Sequence, residues 1–67
     1  PSHQVALNAA NEVAVELFLK RELSFFGISQ VNRSVLQEHN PVSLTRVEDI
    51  LDLDREVRER TRRTIQK

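Results

Sequence analysis

The fold is decided by residues 6–23, which read ALNAANEVAVELFLKREL. This stretch is rich in good helix formers and contains neither Gly nor Pro, so it predicts a helix over residues 6–23. Its apolar side chains spread well around the helix axis instead of keeping to one narrow stripe. A helix that is apolar on more than one side needs packing partners on more than one side. We therefore expect this segment to be the central helix of a small bundle.

Three polar residues near the start of this segment are candidates for a structural role: Asn8, Asn11 and Glu12. Asn8 is a suitable N-cap, because its side-chain oxygen can accept a hydrogen bond from a free amide of the first turn. Asn11 and Glu12 would then lie in that turn, within reach of free amides and of a neighbouring domain. We predict that the three residues cap the helix or contact another domain, the alternative being ordinary solvated side chains.

A second helix is predicted from about Ile28 to His39. Gly27 would cap its start, and Pro41 would stop it because a proline disfavours the α region in the residue before it. The same region imitates a helix-turn-helix, the motif that places a helix in the DNA major groove. That interpretation would bury Arg33 without a partner, which is costly. DNA binding is therefore not favoured.

A third helical region follows a capping box, in which Thr45 and Glu48 each accept a hydrogen bond from the other's backbone amide. Its apolar positions continue to Ile65. Asp52 or Asp54 could also cap a separate helix, so the sequence leaves open whether residues 46–67 form one helix or two. Three ion pairs of favourable spacing are predicted along it: Asp54–Arg58, Glu56–Arg60 and Glu59–Arg63.

Composition excludes several classes of protein. The 67 residues carry ten basic and ten acidic side chains, so no net charge attracts the chain to nucleic acid or anionic lipid. There is no Cys for a disulfide or a thiolate zinc site, and a single Gly cannot form a glycine-rich phosphate loop. No apolar run approaches the ~20 residues that span a bilayer. The sequence predicts an all-α protein, a small bundle of three to four helices, with no nucleic-acid or membrane partner.

Patterns typical of catalytic or metal sites are missing. His3 and His39 lie far apart, and neither belongs to a His-x-x-Glu or Glu-x-x-His pair. The acidic residues 52–56 imitate the start of a calcium-binding loop. That loop requires Gly where Val57 stands and a bidentate Glu where Arg63 stands. We therefore assign no catalytic, cofactor-binding or metal-binding residue to this chain.

The order of several short motifs is more specific than composition: LNAANEVAV at residues 7–15, Phe18-Leu19, Phe25, Ile28, Val35-Leu36, VEDIL at residues 47–51 and Asp54. Together they strongly resemble the C-terminal helical domain of 1-deoxy-D-xylulose 5-phosphate reductoisomerase. The resemblance extends from about Ala6 to Arg63, and Asn-Ala-Ala-Asn-Glu is its specific part. The chain departs from the family at Gly27, where a capping Asp is frequent, and in the loop at residues 23–26.

The resemblance implies a parent enzyme that uses NADPH and a divalent metal, Mg or Mn. The family's reaction converts 1-deoxy-D-xylulose 5-phosphate to 2-C-methyl-D-erythritol 4-phosphate in non-mevalonate isoprenoid synthesis. Residues 1–67 would form the C-terminal domain, with the nucleotide-binding and catalytic domains and one further bundle helix upstream. The family's metal and phosphate ligands belong to those upstream parts, so none is transferred to this chain. We expect the isolated chain to be inert, and its parent to act in the bacterial cytoplasm or a plastid.

The expected partners are the upstream domains of the same chain and a second copy of it. The homo-oligomer is expected because two further segments can cover only part of the central helix. A second hypothesis belongs to another class. In it, the chain is a free-standing helical interaction module whose arginine-rich end at residues 55–67 contacts a partner.

Overall fold

The computed structural model describes residues 2–66, which contain three helices and no strand. These are α1 (Ser2–Leu19), α2 (Phe25–Glu38) and α3 (Val47–Ile65). The predicted all-α class is confirmed. Side-chain contacts join the start of α1 to the end of α2, and the later turns of α1 to the later turns of α3. Thus α2 runs antiparallel to α1 and α3 runs parallel to it.

The predicted central position of α1 is also confirmed. α2 and α3 each pack mainly on α1 and contact each other far less. The buried side of α1 carries two large side chains, Val13 and Leu17, and four alanines without solvent exposure: Ala6, Ala9, Ala10 and Ala14. The other helices contribute larger side chains to the same core: Val31, Val35, Leu53 and Val57. The small side chains on α1 leave room for these branched residues. α2 and α3 can therefore pack side by side on the same turns of α1.

The boundaries of α1 differ from the prediction of residues 6–23. The helix begins earlier, at Ser2, whose buried side chain contacts the end of α2. It ends earlier, at Leu19, because Arg21 adopts a left-handed conformation with φ 63°. The amides of Arg21 and Glu22 donate to the carbonyls of Phe18 and Leu17 at 3.0 and 2.8 Å, a Schellman termination. Glycine is usual at this position, so an arginine at residue 21 does not indicate the end of a helix.

The start of α2 also differs from the prediction. Ser24 is the N-cap, and its hydroxyl oxygen accepts a hydrogen bond from the amide of Gly27 at 3.0 Å. Gly27 therefore lies in the first turn, and its predicted capping role is wrong. A Cβ at Gly27 would lie 2.5 Å from Cδ1 of Leu23, so the space that a side chain would occupy at this position is taken by that leucine. The helix ends at Glu38, with His39 already extended, close to the predicted end.

The region after residue 46 is one continuous helix, which decides the alternative left open by the sequence. The predicted capping box of Thr45 and Glu48 is wrong by one position. Arg46 is the N-cap, and the carboxylate of Asp49 accepts hydrogen bonds from the amides of Thr45 and Arg46 at 3.1 and 3.0 Å. The hydroxyl of Thr45 donates to the same carboxylate. These hydrogen bonds lower the pKa of Asp49, the amide of Thr45 contributing most.

Only the middle of α3 is buried, through Leu53, Val57 and Thr61. Near its start the apolar side chains remain exposed: Val47, Ile50 and Leu51. Of the three predicted ion pairs, Asp54–Arg58 is formed; within residues 2–66, Glu56–Arg60 and Glu59–Arg63 are not. Instead, Nε and Nη2 of Arg60 are buried without a hydrogen-bond partner.

Candidate functional site

One side of α1 is covered by neither α2 nor α3, and we call it the open face of α1. Its members are spaced three or four residues apart, as neighbours on one side of a helix are. They are Gln4, Leu7, Asn8, Asn11 and Val15, all exposed. Shallow grooves border this face on both sides, one lined by Asn32 of α2 and the other by Ile50 and Leu51 of α3. The open face is therefore a mixed amide and apolar surface.

An amide contact joins the open face to α2. Nδ2 of Asn32 donates a hydrogen bond to Oδ1 of Asn11 at 2.9 Å. The side-chain oxygen of Asn32, Oδ1, is buried without a hydrogen-bond partner. Because Asn11 and Asn32 lie on different helices, their hydrogen bond fixes the relative position of α1 and α2 at the border of the open face.

A charged contact joins α1 to α3 at the opposite border. Nη2 of Arg58 forms an ion pair with Glu12, and Nε of Arg58 donates to Asp54 at 2.7 Å. The hydrogen bonds that Arg58 donates to Asp54 and then to Glu12 raise the pKa of its guanidinium. Asn8 completes the group, since its amide donates to Glu12 at 3.3 Å. Arg58 is thus held between two carboxylates on two helices.

The structure brings the three predicted residues together, but not as a helix cap. Because α1 begins at Ser2, Asn8 lies inside the helix and the capping role predicted for it is wrong. Asn11 and Glu12 lie further along α1, beyond the first turn, and each contacts a different neighbouring helix. Their predicted role in contacting another domain stays a prediction.

Sequence reasoning missed two partners in these contacts, Asn32 and Arg58. The pairing of Arg58 with Asp54 is visible from their spacing of four residues. Its contact with Glu12 spans 46 residues of chain, and that of Asn32 with Asn11 spans 21. Neither separation leaves a periodic signal in the sequence, so only the packing of the helices reveals them.

Large apolar side chains are also exposed at one end of the bundle. At the turn between α1 and α2, Leu19, Phe25 and Phe26 are each at least 70% exposed. The rings of Phe18, Phe25 and Phe26 form an edge-to-face series with centroids 5.9 and 6.2 Å apart. Contiguous exposed apolar surface of this kind is typical of interaction sites.

The described residues do not fit a metal or a nucleotide cofactor. Within residues 2–66, no group of three or more His, Cys, Asp or Glu side chains is placed to hold a metal ion. Gly27 lies in the first turn of α2 against Leu23, so it does not form an open phosphate-binding loop. Across the same residues, no helix is long and apolar enough to span a membrane.

Comparisons with known proteins agree on one family. Residues 1–60 match the model of the DXP reductoisomerase C-terminal domain. The chain is 45% identical over 62 residues to the 1-deoxy-D-xylulose 5-phosphate reductoisomerase of Helicobacter pylori, covering 90% of this chain and 17% of the relative. It is 55% identical over 49 residues to the same enzyme of Pelotomaculum thermopropionicum, covering 73% of this chain and 13% of the relative. No solved structure matches the chain.

A further curated relative is the 1-deoxy-D-xylulose 5-phosphate reductoisomerase of Chloroherpeton thalassium. It is 44% identical over 57 residues, which make up 85% of this chain and 15% of the relative. The chain thus spans less than one fifth of the length of these relatives. The similarity concerns one domain of proteins that are much longer.

The contact between Glu12 and Arg58 predicts a measurable coupling. Replacing each with Ala, singly and together, should give a coupling free energy of about 0.2–1 kcal/mol, because the side chains remain partly open to water. Added salt should reduce the coupling by screening the charges. Urea unfolding followed by circular dichroism supplies the four free energies of unfolding.

Asn8→Ala removes only an exposed hydrogen bond to Glu12, and it tests the position of Asn8 within the helix. Asn8 lies within α1, where Ala is the better helix former, so we expect no loss of stability. A loss of about 0.5–2 kcal/mol, typical of a missing N-cap, would contradict the position of Asn8 inside the helix. Independent effects of the Glu12 and Arg58 substitutions would contradict their contact.

Proposed function

Because the chain belongs to the DXP reductoisomerase C-terminal domain family, we propose that it is the C-terminal structural domain of an enzyme acting on 1-deoxy-D-xylulose 5-phosphate. The observation that carries this proposal is the family match over residues 1–60. The geometry supports it, because the polar groups of the Asn-Ala-Ala-Asn-Glu motif contact one another and neighbouring helices. The domain would contribute packing surface, and the chemistry would lie in the rest of the enzyme.

The parent enzyme would be an oxidoreductase that also isomerises its substrate, as the name reductoisomerase of its relatives indicates. We propose that it reduces 1-deoxy-D-xylulose 5-phosphate to 2-C-methyl-D-erythritol 4-phosphate with NADPH and Mg or Mn, in the bacterial cytoplasm or a plastid. The described residues do not fit either cofactor, so the groups that hold them would lie in upstream nucleotide-binding and catalytic domains. No catalytic step is assigned to residues 2–66.

The open face of α1 would be the surface that meets the upstream part of the enzyme. Leu7 and Val15 offer apolar area there, and Asn8 and Asn11 offer hydrogen-bonding groups that solvate well when the surface is free. Exposing apolar area to water costs about 25 cal/mol for each Å². When the upstream domains are missing, a second copy of the chain would cover the same surface. The open face would therefore contact either expected partner, the upstream domains or a second copy of the chain.

The first test concerns cofactors. The 67-residue chain should give no heat of binding when titrated calorimetrically with NADPH or with MgCl₂, because its described residues supply neither ligand cluster nor phosphate loop. The full-length reductoisomerase of Helicobacter pylori is the positive control. Micromolar binding of NADPH by the isolated chain would contradict the assignment of a purely structural role.

The second test concerns association. The 67-residue chain should self-associate as its concentration rises in sedimentation experiments, because association removes the apolar part of the open face from water. Val15→Lys should weaken association by placing a charge on this face. Gln30→Lys adds the same charge on the exposed outer side of α2 and is the matched control.

The expected result is a lower average mass for Val15→Lys than for Gln30→Lys at equal concentration. A strictly monomeric chain at concentrations on the order of hundreds of micromolar would contradict the association. Equal effects of the two lysines would show that the open face is not the contact surface.

A further inference from the structure

A buried polar contact joins the first turn of α1 to the end of α2. Ser2 and His39 are both buried, with 4% and 8% of their surfaces exposed. Nε2 of His39 lies 2.9 Å from Oγ of Ser2. The amide of Val42, in the connection between α2 and α3, donates to the same Ser2 oxygen at 3.1 Å. One hydroxyl therefore joins three parts of the chain.

A second histidine lies against this contact. The ring of His3 packs on the ring of His39 edge to face, with centroids 4.8 Å apart. Two imidazoles in contact cannot both become charged without repulsion, and one of them is buried. Arg60 of α3 adds a further positive charge toward His39, whereas Glu56 of α3 adds a negative one. The carboxylates of Glu38, Asp49 and Asp52 line the same cavity as His39, so the preference for the neutral ring rests first on its burial and then on His3 and Arg60.

We propose that Ser2, His3 and His39 form a proton-sensitive latch, which holds the first turn of α1 and Val42 together while His39 is neutral and loosens when His39 takes up a proton. The hydroxyl of Ser2 can donate to an unprotonated Nε2 or accept from a protonated one, so the hydrogen bond alone does not distinguish the two states. The difference is electrostatic. A buried charge beside His3 and Arg60 must be compensated by Glu56 and by the carboxyl end of α2.

The balance of these effects sets the direction of the pH response. Burial lowers the pKa of His39 most, His3 and Arg60 lower it further, and Glu56 opposes them. The open latch therefore binds a proton more readily than the closed latch. By linkage, the stability contributed by the latch is complete above the ordinary histidine pKa of about 6.5 and is lost as the pH falls below it.

The latch can be tested by nuclear magnetic resonance on the 67-residue chain. Titration of the ring protons should give His39 a pKa below the ordinary value of about 6.5. Hydrogen exchange of the Val42 amide reports opening directly, because that amide donates to Ser2. Between the pKa values of His39 in the open and closed latch, the protection of the Val42 amide should fall by up to about tenfold for each unit by which the pH decreases. Amides in the middle of α3 serve as the internal reference.

Two substitutions separate the latch from ordinary packing. His39→Gln retains an amide nitrogen near the position of Nε2 but cannot titrate, so the protection of Val42 should no longer depend on pH relative to α3. Ser2→Ala should remove that protection at both neutral and acidic pH and move the pKa of His39 toward its ordinary value. His3→Gln should raise the pKa of His39 by removing one source of repulsion.

Three results would overturn the proposal. A pKa of His39 at or above about 6.5 would show that the folded chain does not favour the neutral ring. An equal pH-dependent loss of Val42 protection in the wild-type and His39→Gln chains would assign the response to other groups. Unchanged Val42 protection in Ser2→Ala would show that the hydroxyl does not hold the connection between α2 and α3.

Discussion

The burial of four alanines on one side of α1 constrains the whole bundle: Ala6, Ala9, Ala10 and Ala14. Each alanine side chain loses no rotamer freedom on burial, and its small size leaves space for a branched side chain from a neighbouring helix. Larger side chains fill the rest of the core, Val13 and Leu17 from α1 itself and Val31, Val35, Leu53 and Val57 from its neighbours. Because both neighbours use the same side of α1, the opposite side remains free, and the open face follows directly from this arrangement.

The Asn-Ala-Ala-Asn-Glu motif at residues 8–12 contains two of the buried alanines and also the polar residues at the border of the open face. Ala9 and Ala10 are buried, Asn11 contacts α2, and Glu12 contacts α3. Asn8 contacts Glu12 from the preceding turn. Each residue of the motif therefore either lies in the core or contacts a polar group beside it. The motif therefore influences both the spacing of the helices and the composition of the open face.

The sequence predicted the features that depend on local pattern. The spread of apolar residues around α1 indicated a central helix with partners on more than one side. Both other helices do pack mainly on α1, but on the same side of it, so Leu7, Val15 and Leu19 remain exposed. Helix boundaries were predicted less well, because long-range contacts and unusual conformations decide them. Ser2 extends α1 through a contact with His39 across 37 residues, and Arg21 ends it in a conformation usually left to glycine. The capping interaction of α3 was displaced by one residue, since Asp49 and Glu48 are both plausible acceptors.

Close packing of α2 and α3 on the alanine side of α1 is the central claim, and urea unfolding of Ala10→Leu tests it most directly. The added carbons should lower the free energy of unfolding by about 1–3 kcal/mol, because a close-packed site cannot admit them without strain. Val15→Leu enlarges a side chain on the open face, where there is space. This substitution should change the free energy of unfolding by less than about 0.5 kcal/mol. Equal stability of the Ala10→Leu and wild-type chains at the same concentration would contradict the claim.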